Sequence, residues 1–307
     1  MESYTEVIKL MGNSFEFTAC HPDLNQCKLA VCAGINEVKR IEQLLTTYND
    51  SSYTALINQN AGKAAVKAPT EMIQLIQRSK KISKLTDGAF DISYGSIDKD
   101  FLNFNQNMTA LPDRHKAKEA TRLVDYQNII VDESSETVFL KNEGMKIGFG
   151  GIGKGYAADR AKYIMQHLGI ENGVVNASGD LTAWGHQPNG KPWTIGVANP
   201  NLKHHLVGRF VINNGSVATS GDYEKFVMID GKRYSHTIDP VTGMPAEGLK
   251  SVTIIAPYAE LCDALTTPVM IIGVSAGLHL INQIQGVEAI IIDNFDEIYY
   301  SDNIKIS

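Results

Sequence analysis

Residues 147–161 read Ile-Gly-Phe-Gly-Gly-Ile-Gly-Lys-Gly-Tyr-Ala-Ala-Asp-Arg-Ala, and their glycines follow a short apolar run. After Lys154 the apolar residues recur at three- and four-residue spacing until Gly169, which predicts a helix that begins at the glycines and ends at Gly169. Glycines let a ligand approach the main chain, and a helix N-terminus offers N–H groups to an anion. With the positive charge of Lys154, the stretch predicts a phosphate-binding loop, although a tight structural turn would use the same residues.

Two familiar phosphate-binding motifs fit this loop only in part. The pattern Gly148-x-Gly150-x-x-Gly153 matches the dinucleotide fingerprint, which requires a β-α-β setting. The preceding residues instead predict a hairpin of 137–141 with 145–149, and no acidic residue is placed to bind a ribose after the next strand. In the P-loop motif, Gly155 takes the place of the Ser or Thr that holds Mg²⁺. The rest of the chain must therefore decide what the loop does.

Composition limits the class of protein. The chain has 307 residues, is 43% hydrophobic and carries a net charge of −6, which argues against a nucleic-acid or membrane-surface role. Its four cysteines form no C-x-x-C pair, so buried free thiols and a reducing compartment are expected; they are Cys20, Cys27, Cys32 and Cys262. No signal peptide or apolar run of transmembrane length is present, which predicts a cytoplasmic protein. The alternative is a periplasmic lipoprotein whose signal has been removed.

The order of helix and strand patterns predicts an α+β fold. Residues 35–45 and 70–85 have the spacing of amphipathic helices, whereas the second half is rich in strands, with a hairpin turn at Asp230-Gly231. The strand at 11–18 is expected to pair with 28–32. Because no repeat or linker interrupts the chain, we expect one interleaved unit over 1–307, with mixed or antiparallel sheets flanked by helices.

Asp263 and Thr267 could bind a metal ion. They stand four residues apart on a predicted helix, so both side chains share one face, and both offer the hard oxygen donors that Mg²⁺ accepts. Pro268 has no N–H, so the carbonyl of Ala264 loses its helical partner and becomes available to an ion or water. The alternative is that Thr267 caps a helix end and Asp263 is solvated.

Three other side chains have structural interpretations when taken singly. A lone histidine such as His236 is usually hydrogen-bonded to nearby backbone, and Phe90 and Tyr48 are core aromatics by default. Tyr48 nevertheless lies in a polar turn, where a buried ring is less expected.

Taken together and in order, these pieces resemble the FAD:protein FMN transferases, the ApbE-like family, over nearly the whole chain. The resemblance rests on eight short motifs: Met11-Gly12, Tyr48-Asn49, Gly88-Ala89-Phe90-Asp91, Gly150-Gly151-Ile152-Gly153-Lys154-Gly155-Tyr156, Asn176-Ala-Ser-Gly-Asp180, Ala218-Thr-Ser-Gly221, Ser235-His236-Thr-Ile-Asp239-Pro240-x-Thr242-Gly243 and Asp263-Ala264-x-x-Thr267.

The resemblance implies a Mg²⁺-dependent enzyme with an FAD cleft between two lobes. It would cleave FAD, attach FMN to a Thr or Ser hydroxyl of an acceptor flavoprotein and release AMP. Asp263, Thr267 and the main-chain carbonyl of Gly151 would hold the metal, and His236 and Asp263 would be the catalytic residues. The residues expected to line FAD are Met11, Tyr48, Ala89, Phe90, Asp91, Lys154 and Thr237.

This chain departs from the family pattern at two places. Gly148 replaces the usual aspartate, which contacts the adenosine part of FAD, and Tyr94-Gly95-Ser96-Ile97 follows Ser93 where a Pro-Leu pair is common. Three other functions remain open: an FAD hydrolase, a non-catalytic FAD-binding protein and, least favoured, an NAD-linked oxidoreductase. The acceptor protein, the oligomeric state and the general base are not defined by the sequence.

Overall fold

Helices and strands alternate along the chain in an α+β arrangement. The computed structural model describes residues 1–97, 110–198, 206–221 and 226–304. Within these ranges there are six α-helices: α1 (Leu24–Leu45), α2 (Tyr53–Gln59), α3 (Thr70–Leu85), α4 (Arg114–Ala120), α5 (Gly153–His167) and α6 (Ala259–Asn282). The same ranges contain sixteen strands: β1 (Glu2–Leu10), β2 (Asn13–His21), β3 (Val66–Lys67), β4 (Ile129–Asp132), β5 (Thr137–Leu140), β6 (Asn172–Ala177), β7 (Asp180–Trp184), β8 (Trp193–Ala198), β9 (Leu206–Ile212), β10 (Asn214–Gly221), β11 (Phe226–Ile229), β12 (Lys232–Ile238), β13 (Pro245–Glu247), β14 (Leu249–Ala256), β15 (Glu288–Asp293) and β16 (Ile298–Tyr300).

An eight-stranded antiparallel sheet forms the centre of the fold. Its strand order is β1-β2-β6-β7-β10-β14-β15-β16. Three helices lie side by side across it: α1 on β1 and β2, α5 on β6 and β7, and α6 on β10, β14 and β15. Buried and less buried residues alternate along β6, as expected for a strand with one face on the helices. The predicted α+β class is confirmed.

Three small sheets complete the described structure: β3-β5-β4, β8-β9 and β11-β12-β13. The β11–β12 hairpin turns at Asp230 and Gly231, whose φ angles of 50° and 74° are those of a two-residue type I′ turn. This confirms the hairpin that the Asp-Gly pair predicted.

The expected pairing of residues 11–18 with 28–32 is wrong. The partner of β2 is β1, and residues 28–32 belong to α1, which begins after Asp23 caps the N–H of Asn25. Short apolar runs fit a strand or a buried helix equally well. Here the buried positions continue at helical spacing from Cys27 through Ala30 and Val31 to Val38. This pattern extends beyond residues 28–32 and is that of a helix.

The predicted hairpin of 137–141 with 145–149 is also wrong, because β5 pairs with β4. The extended chain before the glycine loop is bound by side chains instead of a strand. The Asn58 amide accepts from Ile147 N at 2.8 Å and donates to Ile147 O at 3.0 Å. The Ser96 hydroxyl does the same for Lys146, at 2.8 and 3.0 Å. Gly148 N donates to Ile92 O at 2.8 Å, so the segment enters the glycine loop with its backbone hydrogen-bonded.

Three of the four cysteines confirm the expectation of buried free thiols. Cys20, Cys27 and Cys262 are buried, whereas Cys32 is exposed. Cys32 lies on the outer face of α1, outside the helical stripe that packs on the sheet.

Helix α6 combines unusual apolarity with a break. Among the described residues it is the one helix long and apolar enough to cross a membrane, with a mean hydropathy of 1.7 over the window tested. Half of that window is buried inside the protein, and core helices meet the same criteria, so no membrane span follows. Gly273, with φ 82°, interrupts the helix, and Pro268 lies within it as the sequence suggested.

Candidate active site

Helices α5 and α6 cross at their N-terminal ends, and each supplies a carboxylate that caps the other. Asp159 of α5 accepts hydrogen bonds from Ala259 N and Glu260 N of α6, at 3.0 and 2.9 Å. Asp263 of α6 accepts one from Gly155 N of α5, at 3.0 Å. A Cβ at Gly155 would overlap the carbonyl oxygen of Ala259, so only glycine permits this close approach. The crossing fixes the position of Asp263 relative to the glycine loop.

The exposed edge of that loop is where an anion can approach. Ile152 N and Gly153 N both donate to Phe149 O, and Gly155 N donates to Asp263. These donors have acceptors within the protein. Gly150 and Gly151 line a cavity next to these donors, and an anion would meet the loop there.

A cluster of one partly exposed ammonium and two buried carboxylates lies beside the loop. The Lys154 ammonium contacts Asp180 Oδ2 and lies 3.4 Å from Asp263 Oδ1. Burial alone would lower the pKa of Lys154, but the two carboxylates raise it above its ordinary value. Burial and the like charge of Asp263 raise the pKa of Asp180, because one ammonium cannot neutralise two acids. The cluster therefore has an excess of negative charge that a cation would balance.

Asp180 is a site residue that the sequence reasoning missed. Its only sequence signal is the Asn176-Ala-Ser-Gly-Asp180 turn, which belongs to the motifs of the resemblance but assigns no role to Asp180. Ser178 and Gly179 have φ angles of 58° and 104°, and they turn the chain tightly from β6 into β7. Asp180 is the first residue of β7 and is 5% exposed. The turn thus places its carboxylate in contact with Lys154.

The oxygen donors near this cluster fit a hard cation. Asp263 and Thr267 lie one helical turn apart on α6, and Asp263 is 5% exposed. Thr267 Oγ1 is 3.9 Å from where a Cβ of Gly151 would lie, so the hydroxyl and the loop backbone are neighbours. The described residues contain no group of three or more His, Cys, Asp or Glu that could hold a metal. A carboxylate, a hydroxyl and a main-chain carbonyl are nevertheless the donor types that Mg²⁺ accepts.

Two cavities meet at the glycine loop. The larger has a volume of about 920 Å³ and the smaller about 440 Å³. Both are lined by Gly148 and Gly150 of the loop and by Tyr94 and Ile97 of the preceding turn. The two cavities are thus neighbouring compartments beside the glycine loop, and these four residues, which line both, form the junction between them.

The predicted site residues divide between the two compartments. Met11, Tyr48 and Lys154 line the larger one. Seven others line the smaller compartment: Ala89, Phe90, Asp91, Gly151, His236, Thr237 and Thr267. Asp263 lines neither compartment but contacts Lys154. The structure thus brings all eleven predicted residues to one cleft and its wall.

Two residues that line the larger compartment are unusual, one in its backbone conformation and the other in its exposure. Met11 lies in the β1–β2 turn and has a φ angle of 50°, which is rare for a non-glycine residue. Its N–H donates a hydrogen bond to Glu42 Oε1 at 2.8 Å. Tyr48 is 92% exposed, so the default reading of this ring as a core aromatic is wrong. Its polar turn is hydrogen-bonded locally, with Tyr48 N donating to Thr46 Oγ1, and leaves the ring outside the core.

In the smaller compartment Phe90 and Asp91 are both buried, at 4% and 6% exposure. The Asp91 carboxylate accepts from Ser93 N, Ser93 Oγ and Tyr126 N at 2.7, 2.6 and 2.8 Å. Burial raises the pKa of Asp91, while these hydrogen bonds act in the opposite direction. Its observed contacts fix the short 3₁₀ turn Ile92–Ser96, which carries Tyr94.

His236 is exposed on β12 where it lines the smaller compartment. Its strand ends in a turn closed by Gly243 N donating to Asp239 O at 2.8 Å and by Thr242 Oγ1 donating to Asp239 Oδ2 at 2.6 Å. The Asp-Pro-x-Thr-Gly signature therefore builds the turn beside the site, and His236 and Thr237 face the cleft from the strand before it.

The chain is similar to curated proteins and solved structures over most of its length. Residues 11–291 match the ApbE family. An FAD:protein FMN transferase of Klebsiella pneumoniae is 33% identical over 86% of this chain and 82% of the relative. The crystal structure of the ApbE protein of Thermotoga maritima has a TM-score of 0.87 and 31% identity, and covers 98% of this chain and 97% of that protein. The flavinyl transferase ApbE of Pseudomonas stutzeri, at 24% identity, has the same fold, with a TM-score of 0.84 over 98% of this chain and 95% of that chain. The family match over residues 11–291 and the 33% identity to a relative over most of the chain lead to one conclusion: this chain is a member of the ApbE family.

Proposed function

We propose that this chain is a Mg²⁺-dependent FAD:protein FMN transferase. It would cleave FAD, attach FMN through a phosphoester to a Thr or Ser hydroxyl of an acceptor flavoprotein, and release AMP. One observation carries the proposal: two compartments meet at a glycine loop beside Lys154, Asp180 and Asp263, as a dinucleotide with a central diphosphate requires.

The two compartments differ in the way that the two halves of FAD differ. The larger has the exposed ring of Tyr48 and the side chain of Met11 on its wall, which suit stacking on a flat tricyclic flavin. The smaller, at about 440 Å³, suits the adenosine half and lies within the usual size range of ligand sites. The diphosphate would then cross the junction at Gly148 and Gly150.

Asp263, Thr267 and the carbonyl of Gly151 would hold the metal. When bound, Mg²⁺ supplies positive charge that polarises and neutralises the diphosphate oxygens. Lys154 adds a second positive charge on the same side, kept protonated by Asp180 and Asp263. These residues together stabilise charge that develops on the leaving AMP.

The reaction exchanges a phosphoanhydride bond of FAD for a phosphoester bond to the acceptor. The acceptor hydroxyl oxygen bonds to the flavin-side phosphorus, and the bond from that phosphorus to the bridging oxygen breaks. AMP leaves with the bridging oxygen, and the hydroxyl proton passes to a base or to water. We assign His236 to positioning the phosphate from the wall of the smaller compartment, with proton transfer as a secondary role.

Hydrolysis of FAD to FMN and AMP is the second candidate reaction. The site opens to solvent at Gly150 and His236, both of which are exposed, so water can reach the region where an acceptor hydroxyl must enter. Simple FAD storage accounts less well for the site, because binding alone does not require a buried acid beside the diphosphate.

We also propose that residues 1–307 act as one unit. A contiguous hydrophobic core runs from Leu10 to Ile291 and includes residues of the helices and of the central sheet. Such continuity is typical of a single domain.

The test is incubation of the protein with FAD, Mg²⁺ and a folded flavoprotein subunit, followed by intact-mass analysis of the subunit and chromatography of nucleotides. A covalent FMN adduct together with AMP supports the transferase. FMN and AMP without an adduct indicate the hydrolase, and FAD binding without either product indicates a binding protein. EDTA should abolish both products.

A further inference from the structure

Tyr94 is the one aromatic side chain that lines both compartments of the cleft among the described residues. It lies on the 3₁₀ turn Ile92–Ser96, and the residue is 38% exposed. A dinucleotide that fills both compartments must pass this ring. The side chain therefore occupies the position from which it can contact the centre of such a ligand.

The phenol fits against two glycines of the loop. A Cβ at Gly150 would overlap Tyr94 Oη, and a Cβ at Gly148 would lie 3.8 Å from the same atom. The hydroxyl therefore occupies space that a side chain at position 150 would need, and it lies directly beside the loop edge where an anion approaches. Gly150 tolerates no side chain while Tyr94 holds this position.

The turn that carries Tyr94 is fixed to the loop. Ser96 Oγ makes two hydrogen bonds to the backbone of Lys146, and Ile92 O accepts from Gly148 N. A Cβ at Gly95 would lie 3.3 Å from Lys146 O, so the two segments are in close contact. The ring therefore projects from a hydrogen-bonded turn, and that turn fixes its position in the wall of the site.

We infer that Tyr94 is a substrate-binding residue that selects the dinucleotide: its hydroxyl donates a hydrogen bond to the diphosphate where the ligand crosses the junction. This rests on the proposed function, because it takes FAD as the ligand. A phenol is a neutral donor, so it can approach the diphosphate without adding charge to the Lys154 cluster. Molecules confined to one compartment do not gain this bond.

The test compares FAD with riboflavin, which lacks phosphate and adenosine, by calorimetric titration with and without Mg²⁺. Tyr94→Phe keeps the ring and removes only the hydroxyl. We expect its Kd for FAD to rise about tenfold, as for loss of one hydrogen bond to a charged group, while its Kd for riboflavin stays unchanged. Tyr163→Phe is the matched control, since Tyr163 is an exposed tyrosine on α5 that lines neither compartment.

A second set of variants tests the geometry. Gly150→Ala must displace the Tyr94 hydroxyl, because its Cβ would overlap Tyr94 Oη. We expect Gly150→Ala to weaken FAD binding to the same degree as Tyr94→Phe, and the double variant to be no weaker than either. Gly150→Ala, Tyr94→Phe and the double variant should all have wild-type thermal unfolding.

The outcomes separate this inference from the function on which it rests. A wild type that binds no FAD under either condition overturns the proposed function and this inference with it. Wild-type FAD binding with an unchanged Kd in Tyr94→Phe overturns this inference alone. Equal weakening of FAD and riboflavin binding in Tyr94→Phe also overturns it, because the ring would then serve only as part of the wall.

Discussion

Asp263 has two separable roles, and its substitutions should separate them. Its Oδ2 accepts the hydrogen bond of Gly155 N, which stabilises the N-terminus of α5, and its Oδ1 faces Lys154 and the proposed metal position. Asp263→Asn keeps an oxygen that can accept from Gly155 N but removes the negative charge. Asp263→Ala removes both. Asp159→Asn is the matched control, because Asp159 caps α6 in the reciprocal position without contacting the cluster.

The expected magnitudes follow from these contacts. Loss of the cap in Asp263→Ala should cost about 1–2 kcal/mol in the free energy of unfolding, which lowers Tm by about 2–4 °C per kcal/mol. Asp263→Asn should unfold within about 2 °C of the wild type because its cap is kept. Both variants should lose FAD cleavage by more than about a hundredfold, since a metal ligand contributes several kcal/mol to the barrier.

The assay is AMP release at saturating FAD over a titration of Mg²⁺, with thermal unfolding measured on the same samples. Asp159→Asn should retain FAD cleavage. Full activity of Asp263→Asn in EDTA would refute the metal assignment. Equal destabilisation of Asp263→Asn and Asp263→Ala would refute the separation of cap and ligand.

Three further expectations concern Lys154, His236 and Asp159. Lys154→Met should weaken FAD binding in calorimetric titration, and Lys154→Arg should restore it only in part because the guanidinium has a different shape; unchanged affinity of Lys154→Met would make it a structural lysine. His236→Asn should keep measurable FMN transfer at saturating FAD, because an amide still donates a hydrogen bond; complete loss of transfer would identify the histidine as the base. Burial raises the pKa of Asp159 from 3.8 to about 6, so its contribution to stability is full below pH 3.8 and is lost as the pH rises through about 6. The Tm of the wild type should therefore fall relative to Asp159→Asn between pH 4 and pH 7, and parallel pH profiles would contradict this.

Local patterns were enough to predict several elements. Helix α3 covers 70–85 as expected, because Pro69 precedes it and its apolar residues keep one helical face. The β11–β12 hairpin follows from the Asp-Gly pair, and α5 follows from the glycine loop and ends before Gly169, which has φ 86°. In each case the residues that set the boundary lie within the element or next to it.

Long-range hydrogen bonds explain one of the two elements that were predicted wrongly, and the shortness of an apolar run explains the other. Residues 145–149 have the alternation of a strand, but their partners are the side chains of Asn58 and Ser96, 89 and 50 residues earlier in the chain. No local pattern shows that an amide or a hydroxyl replaces a strand. Residues 28–32 were too short a run to distinguish a strand from α1.

The sequence predicted those site residues that residue spacing or the order of the motifs indicates. Asp263 and Thr267 share a helix face because they are four residues apart, and the resemblance supplied the other residues of the cleft. Asp180 was missed because its contact with Lys154 joins the start of β7 to α5, and only the fold brings them together. Tyr94 appeared only as a departure from the family pattern, and its place at the junction depends on two glycines more than 50 residues away.

The central claim is FMN transfer to protein, and the most direct measurement is the ratio of AMP released to FMN bound covalently to an acceptor flavoprotein. The expected ratio is one to one in the presence of Mg²⁺, with both products abolished by EDTA and in Asp263→Asn. AMP release with no covalent FMN on any acceptor tested, or covalent FMN formed equally well without metal, would contradict it.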